Sequence, residues 1–287
     1  MMVDGAAGQG LEGGLRPEPG AADAGAPDQE PRLTVIVPAY HEGSRIAANL
    51  LRLTQALERT GSTWEVIVVV DGDPATWAAA QASRSPAVRV FGYSRNRGKG
   101  FALRYGIVQA RGRLVTFIDS DMEIDPEEIG RMAGLLELYE ADVVVGSKRH
   151  PLSEVQYPWP RRVQSLAYQL LVRLLFRVRV RDTQTGLKMF RREVAERVVD
   201  AALVKRFAFD LELLVLAGHF GYRRIVESPV KIQYQFQSTT NLKAVFLILW
   251  DTAAIFYRLH LLRWYDRPEA AGLTHLIEEL PAPLGGD

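Results

Sequence analysis

The chain has 287 residues, of which 47% are hydrophobic and 24% charged, and its formal net charge is +1 at pH 7. These values fit a globular protein with a substantial core, and a charge near zero gives no general electrostatic reason to bind nucleic acid. The complete absence of cysteine excludes disulfides, thiolate metal sites and cysteine nucleophiles.

The two halves of the chain have different patterns. In the first half, short apolar runs predict strands and helical spacing of apolar residues predicts the segments between them. The strands are predicted at 33–38, 64–70, 88–91, 114–118 and 141–145, and the helices at 42–59, around Trp77 and Ala82, at 101–110 and at 127–139. This alternation predicts an α/β fold with a doubly wound, mostly parallel sheet, in which ligands bind beyond the carboxyl ends of the strands.

After about residue 150 longer amphipathic segments take over. Apolar residues at helical spacing predict a helix through 163–178, followed by a polar turn at 182–186 and a short apolar run at 187–190. Two helices at 192–200 and 209–218, a strand-like segment at 224–234 and a final apolar helix at 241–264 complete the prediction.

Three acidic residues follow the predicted strand at 114–118, namely Asp119, Asp121 and Glu123. Carboxylates spaced by two residues can point to one side of an extended turn, and such hard oxygen ligands suit Mg²⁺ or Mn²⁺. The alternative is a set of solvated loop or helix-cap residues, which is how we interpret the acidic run at 125–128.

Further polar residues follow the other strands. The run 96–100 (NRGKG) opens a predicted helix, where glycines, cations and free N–H groups favour an anion. Glu42 and Asp71 could accept hydrogen bonds from a ribose or a base. Simpler interpretations exist for all of them. The run 96–100 could be a basic turn with glycines for geometry, and Glu42 and Asp71 could each be a helix-cap or turn residue.

In this order, the segments 35–42, 65–72, 96–100, 119–121 and 146–149 resemble family 2 glycosyltransferases, and the likeness covers residues 33–235. Within this family the resemblance is strongest to the dolichyl- and polyprenyl-phosphate sugar synthases. Within that group, 182–190 (DTQTGLKMF) and 209–212 (FDLE) look most like dolichyl-phosphate glucosyltransferases.

The resemblance implies a GT-A-type fold and a role for each matched residue. Asp119 and Asp121 would hold metal and diphosphate, with Glu123 as a further ligand, and Lys99 and Arg149 would neutralise phosphate. The nucleoside pocket would be lined by Pro38, Ala39, Tyr40, Glu42 and Asp71, and the acceptor side by Asp182, Gln184 and Asp210. The sequence departs from the family at His41, where asparagine is usual, at Val70, where aspartate is usual, and at Asp73, where serine is usual.

The implied reaction inverts the anomeric centre by a single in-line displacement of a nucleoside diphosphate. A lipid monophosphate, already largely an anion near neutral pH, needs no general base, whereas a hydroxyl acceptor does. We expect transfer of a hexose to polyprenyl or dolichyl phosphate, with UDP-glucose the first donor and GDP-mannose the second. The alternatives are transfer to a glycan or small-molecule hydroxyl, with Asp210 or else Glu212 as the base, and a non-catalytic nucleotide-sugar binder.

Membrane contact is predicted from the second half of the chain. Basic residues greatly outnumber the single acid, Asp182, between 161 and 192, so the amphipathic helix at 161–180 could lie among anionic headgroups. No apolar stretch reaches the ~20 residues of a spanning helix. We therefore expect a peripheral protein on the cytoplasmic face, although both amphipathic helices could instead pack on the sheet. The predicted organisation is a disordered tail at 1–31, a catalytic domain at 32–235, an interfacial helix at 236–266 and a tail at 267–287.

Overall fold

The computed structural model describes residues 30–154, 159–178, 180–204, 208–232 and 242–267, without the side chains of 159–164 and 242–244. Nearly all of both predicted tails lies outside these ranges.

The described part of the chain forms one sheet of seven strands in the order β3-β2-β1-β4-β6-β5-β7. Neighbours are parallel except at β6, which runs antiparallel to both β4 and β5. The predicted mostly parallel α/β sheet is thereby confirmed. The strands are β1 (Leu33–Ala39), β2 (Trp64–Asp71), β3 (Val88–Tyr93), β4 (Leu114–Phe117), β5 (Val143–Ser147), β6 (Lys188–Arg191) and β7 (Ile225–Pro229).

Helices cover both faces of this sheet and bury alternate residues of its strands. Ile36 and Ile67 face one core cluster, which includes residues of α3, α6 and α7, while Val35 and Val66 face the other, which includes residues of α1 and α4. The helices are α1 (Arg45–Glu58), α2 (Pro74–Gln81), α3 (Lys99–Val108), α4 (Glu128–Leu138), α5 (Trp159–Phe176), α6 (Arg192–Ala201), α7 (Phe209–His219) and α8 (Leu242–Phe256).

Two predicted helices end earlier than expected. α5 stops at Phe176, and Arg177 takes a left-handed φ of 55°. The following residues alternate Arg and Val, a pattern that favours extended chain over helix. α8 stops at Phe256 and continues as a π-helical turn (Tyr257–Leu261), after which Arg263 has a φ of 47°. The prediction of one helix over 241–264 was therefore wrong in its last turns. The strand-like segment at 224–234 is ordered as a strand only over β7, and 233–234 lie outside the described residues.

α8 packs against the body of the protein instead of standing apart from it. The hydroxyls of Tyr168 on α5 and Thr252 on α8 are 2.9 Å apart, and the rings of Phe176 and Phe256 meet edge to face. Ile255 is completely buried. Among the described residues, no helix combines the length and apolarity needed to cross a bilayer.

Candidate active site

The loops after β1 and β2 are joined by the hydroxyl of Thr76. It accepts hydrogen bonds from the backbone N–H groups of Glu42 (2.9 Å) and Gly43 (3.0 Å), and it donates to the carboxylate of Asp73. Asp73 also caps α2 by accepting from the Thr76 N–H at 3.1 Å. The Thr76 hydroxyl is the main reason that the pKa of Asp73 is lowered. Asp73, a departure from the family pattern, thus has a structural use in fixing the first two loops.

Pro38 and Ala39 end β1 beside Val69 and Val70 of β2, and the next two rings lie at the surface. Tyr40 is 44% exposed, and its ring centroid is 3.9 Å from that of His41. The structure therefore presents an aromatic surface at the predicted nucleoside pocket.

Asp71 holds the glycine-rich loop at 96–100. Its two carboxylate oxygens accept hydrogen bonds from the backbone N–H groups of Arg97 (2.6 Å) and Gly98 (2.9 Å), and the residue is only 3% exposed. At Gly72, which has a φ of 73°, an added Cβ would lie 2.3 Å from the backbone nitrogen of Asn96. Asp71 therefore contacts this loop directly. A nucleoside that bound to Asp71 would share carboxylate oxygens that already accept hydrogen bonds from the loop.

The acidic residues predicted as metal ligands lie at the carboxyl end of β4. The carboxylate of Asp119 fits against Gly186, where an added Cβ would come within 1.8 Å of Oδ2. Asp121 Oδ1 accepts a hydrogen bond from the Glu123 N–H at 3.1 Å. Desolvation and the negative charges of Asp119, Glu123 and Glu42 raise the pKa of Asp121 to about 6.

These features bear on whether a divalent cation fits. Within the described ranges, no three His, Cys, Asp or Glu side chains are gathered around one point as a complete metal site. Asp119 and Asp121 nevertheless offer hard oxygen ligands. Burial is the main cause of the raised pKa of Asp121, and the negative charges of Asp119, Glu123 and Glu42, which a cation would offset, add to it. The site fits Mg²⁺ or Mn²⁺ on two protein carboxylates, and Glu123, predicted as a third ligand, contacts Asp121 through its backbone.

Glu42 lies near Asp119 and Asp121, at the edge of the sheet where β1, β2 and β4 have their carboxyl ends. We call this edge the carboxylate rim. Its Oε1 accepts a hydrogen bond from Ser120 Oγ at 3.2 Å, and its Oε2 is 3.4 Å from the guanidinium of Arg45. The side chain of Asn49 donates to the Ser120 carbonyl at 2.8 Å. The loop carrying Asp119 and Asp121 is thus attached to the first loop of the sheet.

A chain of alternating charges runs inward from this rim. Lys99 Nζ is 2.7 Å from Asp119 Oδ1 and 3.3 Å from Asp210 Oδ2, and Lys188 Nζ is 2.7 Å from Asp210 Oδ1. Burial opposes ionisation of Asp210, but the two ammonium groups outweigh it, and the pKa of this carboxyl is lowered. Burial also opposes the charge on Lys99, yet Asp119 and Asp210 raise its pKa.

The residues predicted for the acceptor side meet at a cavity of about 420 Å³. It is lined by Arg149, Asp182 and Gln184 and also by Lys148 and His150. Asp182 accepts hydrogen bonds from the backbone N–H groups of Lys148 (3.1 Å) and Gln184 (3.2 Å). Three residues able to carry positive charge therefore line a space beside the carboxylate rim, and we call this space the cationic cavity.

Side chains of α5 support this cavity. The guanidinium of Arg149 donates to the Gln169 side chain and to the Ser165 carbonyl at 3.2 Å. The amide of Gln184 donates to the Tyr168 hydroxyl at 3.3 Å. Since Tyr168 also contacts α8, the cavity wall is connected to both amphipathic helices.

Glu212, the second candidate base, lies away from the rim. It is completely buried, and it accepts hydrogen bonds from the backbone of Leu203 (2.9 Å) and Val204 (2.7 Å) and from the Tyr265 hydroxyl (2.6 Å). Arg258 is 3.4 Å away. The structure therefore gives Glu212 a place in attaching the C-terminal segment.

Sequence reasoning missed several residues that build the site, among them Thr76, Tyr168, Gly186 and Lys188. A signal existed for two of them: Gly186 and Lys188 lie in the segment 182–190 that carries the resemblance, and Lys188 is a charged residue inside an otherwise apolar strand. The others act through contacts between segments distant in sequence, which no local pattern reveals.

The fold and this rim define the class of protein. Residues 34–199, more than half of the chain, match the family model described as "Glycosyl transferase family 2". The chain belongs to this family of glycosyltransferases. In agreement, solved structures of glucosyl-3-phosphoglycerate synthase from Mycobacterium tuberculosis share its fold. One of them, with Mn²⁺, UDP-glucose and phosphoglyceric acid, has a TM-score of 0.61 at 19% identity, and 79% of each chain is covered.

Among relatives of known name, dolichyl-phosphate β-glucosyltransferases are similar over much of the chain. The Trichomonas vaginalis protein ALG5C is 31% identical over 252 residues, which cover 82% of this chain and 74% of the relative. The human protein is 33% identical, with 66% of this chain and 64% of the relative covered. The Drosophila melanogaster protein is 36% identical, with 64% and 62% covered, so the chain spans less than two thirds of these last two relatives.

Proposed function

We propose that this glycosyltransferase moves glucose from UDP-glucose to a polyprenyl or dolichyl phosphate in the presence of Mg²⁺ or Mn²⁺. The observation that carries the proposal is the cavity lined by Lys148, Arg149 and His150 beside the carboxylate rim. Lys148 and Arg149 bring positive charge to this space, and Asp182 in the same lining already accepts two backbone N–H groups. Such a lining suits a phosphate acceptor better than a neutral sugar. The names of the similar relatives support both the glucose and the lipid phosphate.

On the donor side, the proposal uses Asp119 and Asp121 for the metal and Lys99 for the diphosphate. A divalent cation there would supply positive charge for the departing nucleoside diphosphate. Asp71 holds the loop at 96–100 through the N–H groups of Arg97 and Gly98, so the amino end of α3 from Lys99 onward would face a phosphate. The exposed ring of Tyr40 would cover the base.

On the acceptor side, the proposal needs no proton acceptor. Both oxygens of Asp210 are paired with lysines and its pKa is lowered, so it is a weak base. A hydroxyl acceptor would require a stronger one. This favours a phosphate oxygen as nucleophile, with Arg149 neutralising its charge.

A membrane would deliver such a lipid. α5 exposes Leu166, Leu170 and Leu174, the last of these 80% exposed, and the adjacent α8 exposes Phe246 and Trp250. Leu166 also lines the cationic cavity, so the apolar surface begins where the phosphate would sit. We propose that this face lies in the headgroup region of a bilayer. The cytoplasmic side stays a prediction.

The decisive experiment incubates the protein with labelled UDP-glucose or GDP-mannose, Mg²⁺, and either polyprenyl phosphate or a soluble glycan. We expect labelled glucosyl lipid from UDP-glucose. Product on the glycan alone would reject the lipid acceptor, and product from GDP-mannose alone would reject the donor.

Asp119→Asn and Asp121→Asn test the site itself. Each removes a charged metal ligand while keeping its shape, and we expect at least a hundredfold loss of turnover. Full activity in both variants, or in the presence of excess chelator, would remove the metal from the proposal. A wild-type protein that binds UDP-glucose but turns over no donor would favour a nucleotide-sugar binder.

A further inference from the structure

Lys188 is a lysine in the interior of the sheet. It opens β6 opposite Phe117 of β4, and its side chain is 1% exposed. Its ammonium group has two partners, Asp210 Oδ1 at 2.7 Å and the carbonyl of Thr185. Burial lowers its pKa against the opposing pull of Asp210. An interior cation of this kind is unfavourable unless its partners are well placed, so its position calls for an explanation.

The explanation lies in how Lys99 is shared. Lys99 contacts two carboxylates: Asp119, whose side chain is 43% exposed at the rim, and Asp210, whose side chain is 9% exposed. Water can compensate the charge of Asp119 but not that of Asp210, so the buried carboxylate competes more strongly for a single ammonium group. With Lys188 on its other oxygen, Asp210 is already paired, and Lys99 can extend to Asp119.

We infer that Lys188 is a positioning residue that pairs with Asp210 and thereby leaves Lys99 at the rim, beside Asp119, where the donor diphosphate binds. The diphosphate in this statement rests on the proposed function. The position of Lys99 does not, because it follows from the distances alone. Lys188 touches neither substrate and acts only through Asp210.

The contact with Thr185 gives Lys188 a second connection. Thr185 lines the cationic cavity, and the next residue, Gly186, contacts the Asp119 carboxylate. One ammonium group therefore fixes both the carboxylate behind Lys99 and the segment that separates the cavity from the rim. Loss of Lys188 would disturb donor and acceptor sides together.

The test replaces Lys188 by methionine, which has a similar unbranched shape and no charge. In a crystal structure of Lys188→Met, we expect Lys99 Nζ to withdraw from Asp119 towards Asp210. In the glucose-transfer assay, we expect kcat to fall about 10- to 100-fold, as for other displacements of about 1 Å at a reacting centre, with a smaller change in donor KM.

The double variant Lys188→Met/Asp210→Asn removes the buried anion that draws Lys99 inward. We expect Lys99 to return to Asp119 in this variant, and we expect its kcat to be at least threefold higher than that of Lys188→Met. Activity is expressed per folded molecule, below the melting temperature of each variant. A double variant no more active than the single one would overturn the inference.

Arg89→Met is the matched control, since Arg89 pairs with Glu65 at 2.7 Å near the amino ends of β2 and β3, far from the rim. It should lower stability and leave kcat unchanged. If Lys188→Met behaves in the same way, or if its Lys99 stays at hydrogen-bond distance from Asp119, the positioning role is refuted. If the wild-type protein transfers no glucose, the proposed function fails, and the crystal structures still decide the inference.

Discussion

Gly186→Ala tests the contact between the acceptor-side segment and the Asp119 carboxylate. The new Cβ would lie 1.8 Å from Asp119 Oδ2 and 2.4 Å from Cγ, whereas ordinary contacts begin at 3.4 Å. The carboxylate must therefore retreat by about 1.6 Å. The backbone at Gly186 lies outside the left-handed region, so alanine adds no dihedral strain of its own.

A displacement of that size at a proposed metal ligand predicts a large effect on turnover. A 1 Å misplacement can cost about 100-fold in rate, which corresponds to about 2.7 kcal/mol in the activation barrier. We expect kcat to fall at least that far and the half-saturating Mn²⁺ concentration to rise. The assay is glucose transfer at several metal concentrations, with thermal unfolding measured in parallel.

The control for this substitution is Gly134→Ala on α4, where an added Cβ meets nothing within 4 Å. It should keep full activity and gain about 0.5–1 kcal/mol in stability, as alanine does in a helix. Turnover in Gly186→Ala within threefold of wild type, with an unchanged metal requirement, would refute the reasoning.

Three further substitutions probe other parts of the site. Thr76→Val should cost about 1–2 kcal/mol by urea unfolding at pH 7. Because the hydroxyl lowers the pKa of Asp73, the difference in unfolding free energy between wild type and Thr76→Val should shrink as pH falls below 3.8 and Asp73 becomes protonated. A stability difference that does not change with pH would contradict this role of the hydroxyl. Leu170→Glu should reduce flotation with anionic liposomes, whereas Leu138→Glu on α4, which is 74% exposed against 65% for Leu170, should not; equal loss in both would argue against the apolar face. Arg149→Ala should raise the KM for polyprenyl phosphate about tenfold and leave that for UDP-glucose unchanged, and the reverse order would misplace the acceptor cavity.

Much of the fold could be read from the sequence because buried parallel strands leave a strong local signal. The apolar runs of β1, β2 and β4 are each followed by polar residues, so the rim with Asp119 and Asp121 was predictable from position alone. The sequence did not indicate that β6 enters the sheet between β4 and β5, since strand order depends on pairing between distant segments.

The limits at the site have the same physical origin. The role of Asp71 at the nucleoside stays a prediction, and no local pattern indicated that its oxygens accept backbone N–H groups of a loop 26 and 27 residues further along the chain. Lys188 sits in a pattern that predicts a strand, but its partner Asp210 comes from a helix much later in the chain. Local patterns identify which residues are polar, and only the folded packing decides which of them pair.

The attachment of Glu212 has a practical consequence for anyone who shortens this protein. A version ending before α8 would retain every residue of the rim and of the cationic cavity. It would also remove Tyr265 and Arg258, which both contact Glu212. Glu212 lies on α7 only two residues after Asp210. Trimming the carboxyl-terminal helix to gain solubility would therefore leave a buried carboxyl group short of partners, and any loss of turnover in such a version would say little about lipid binding.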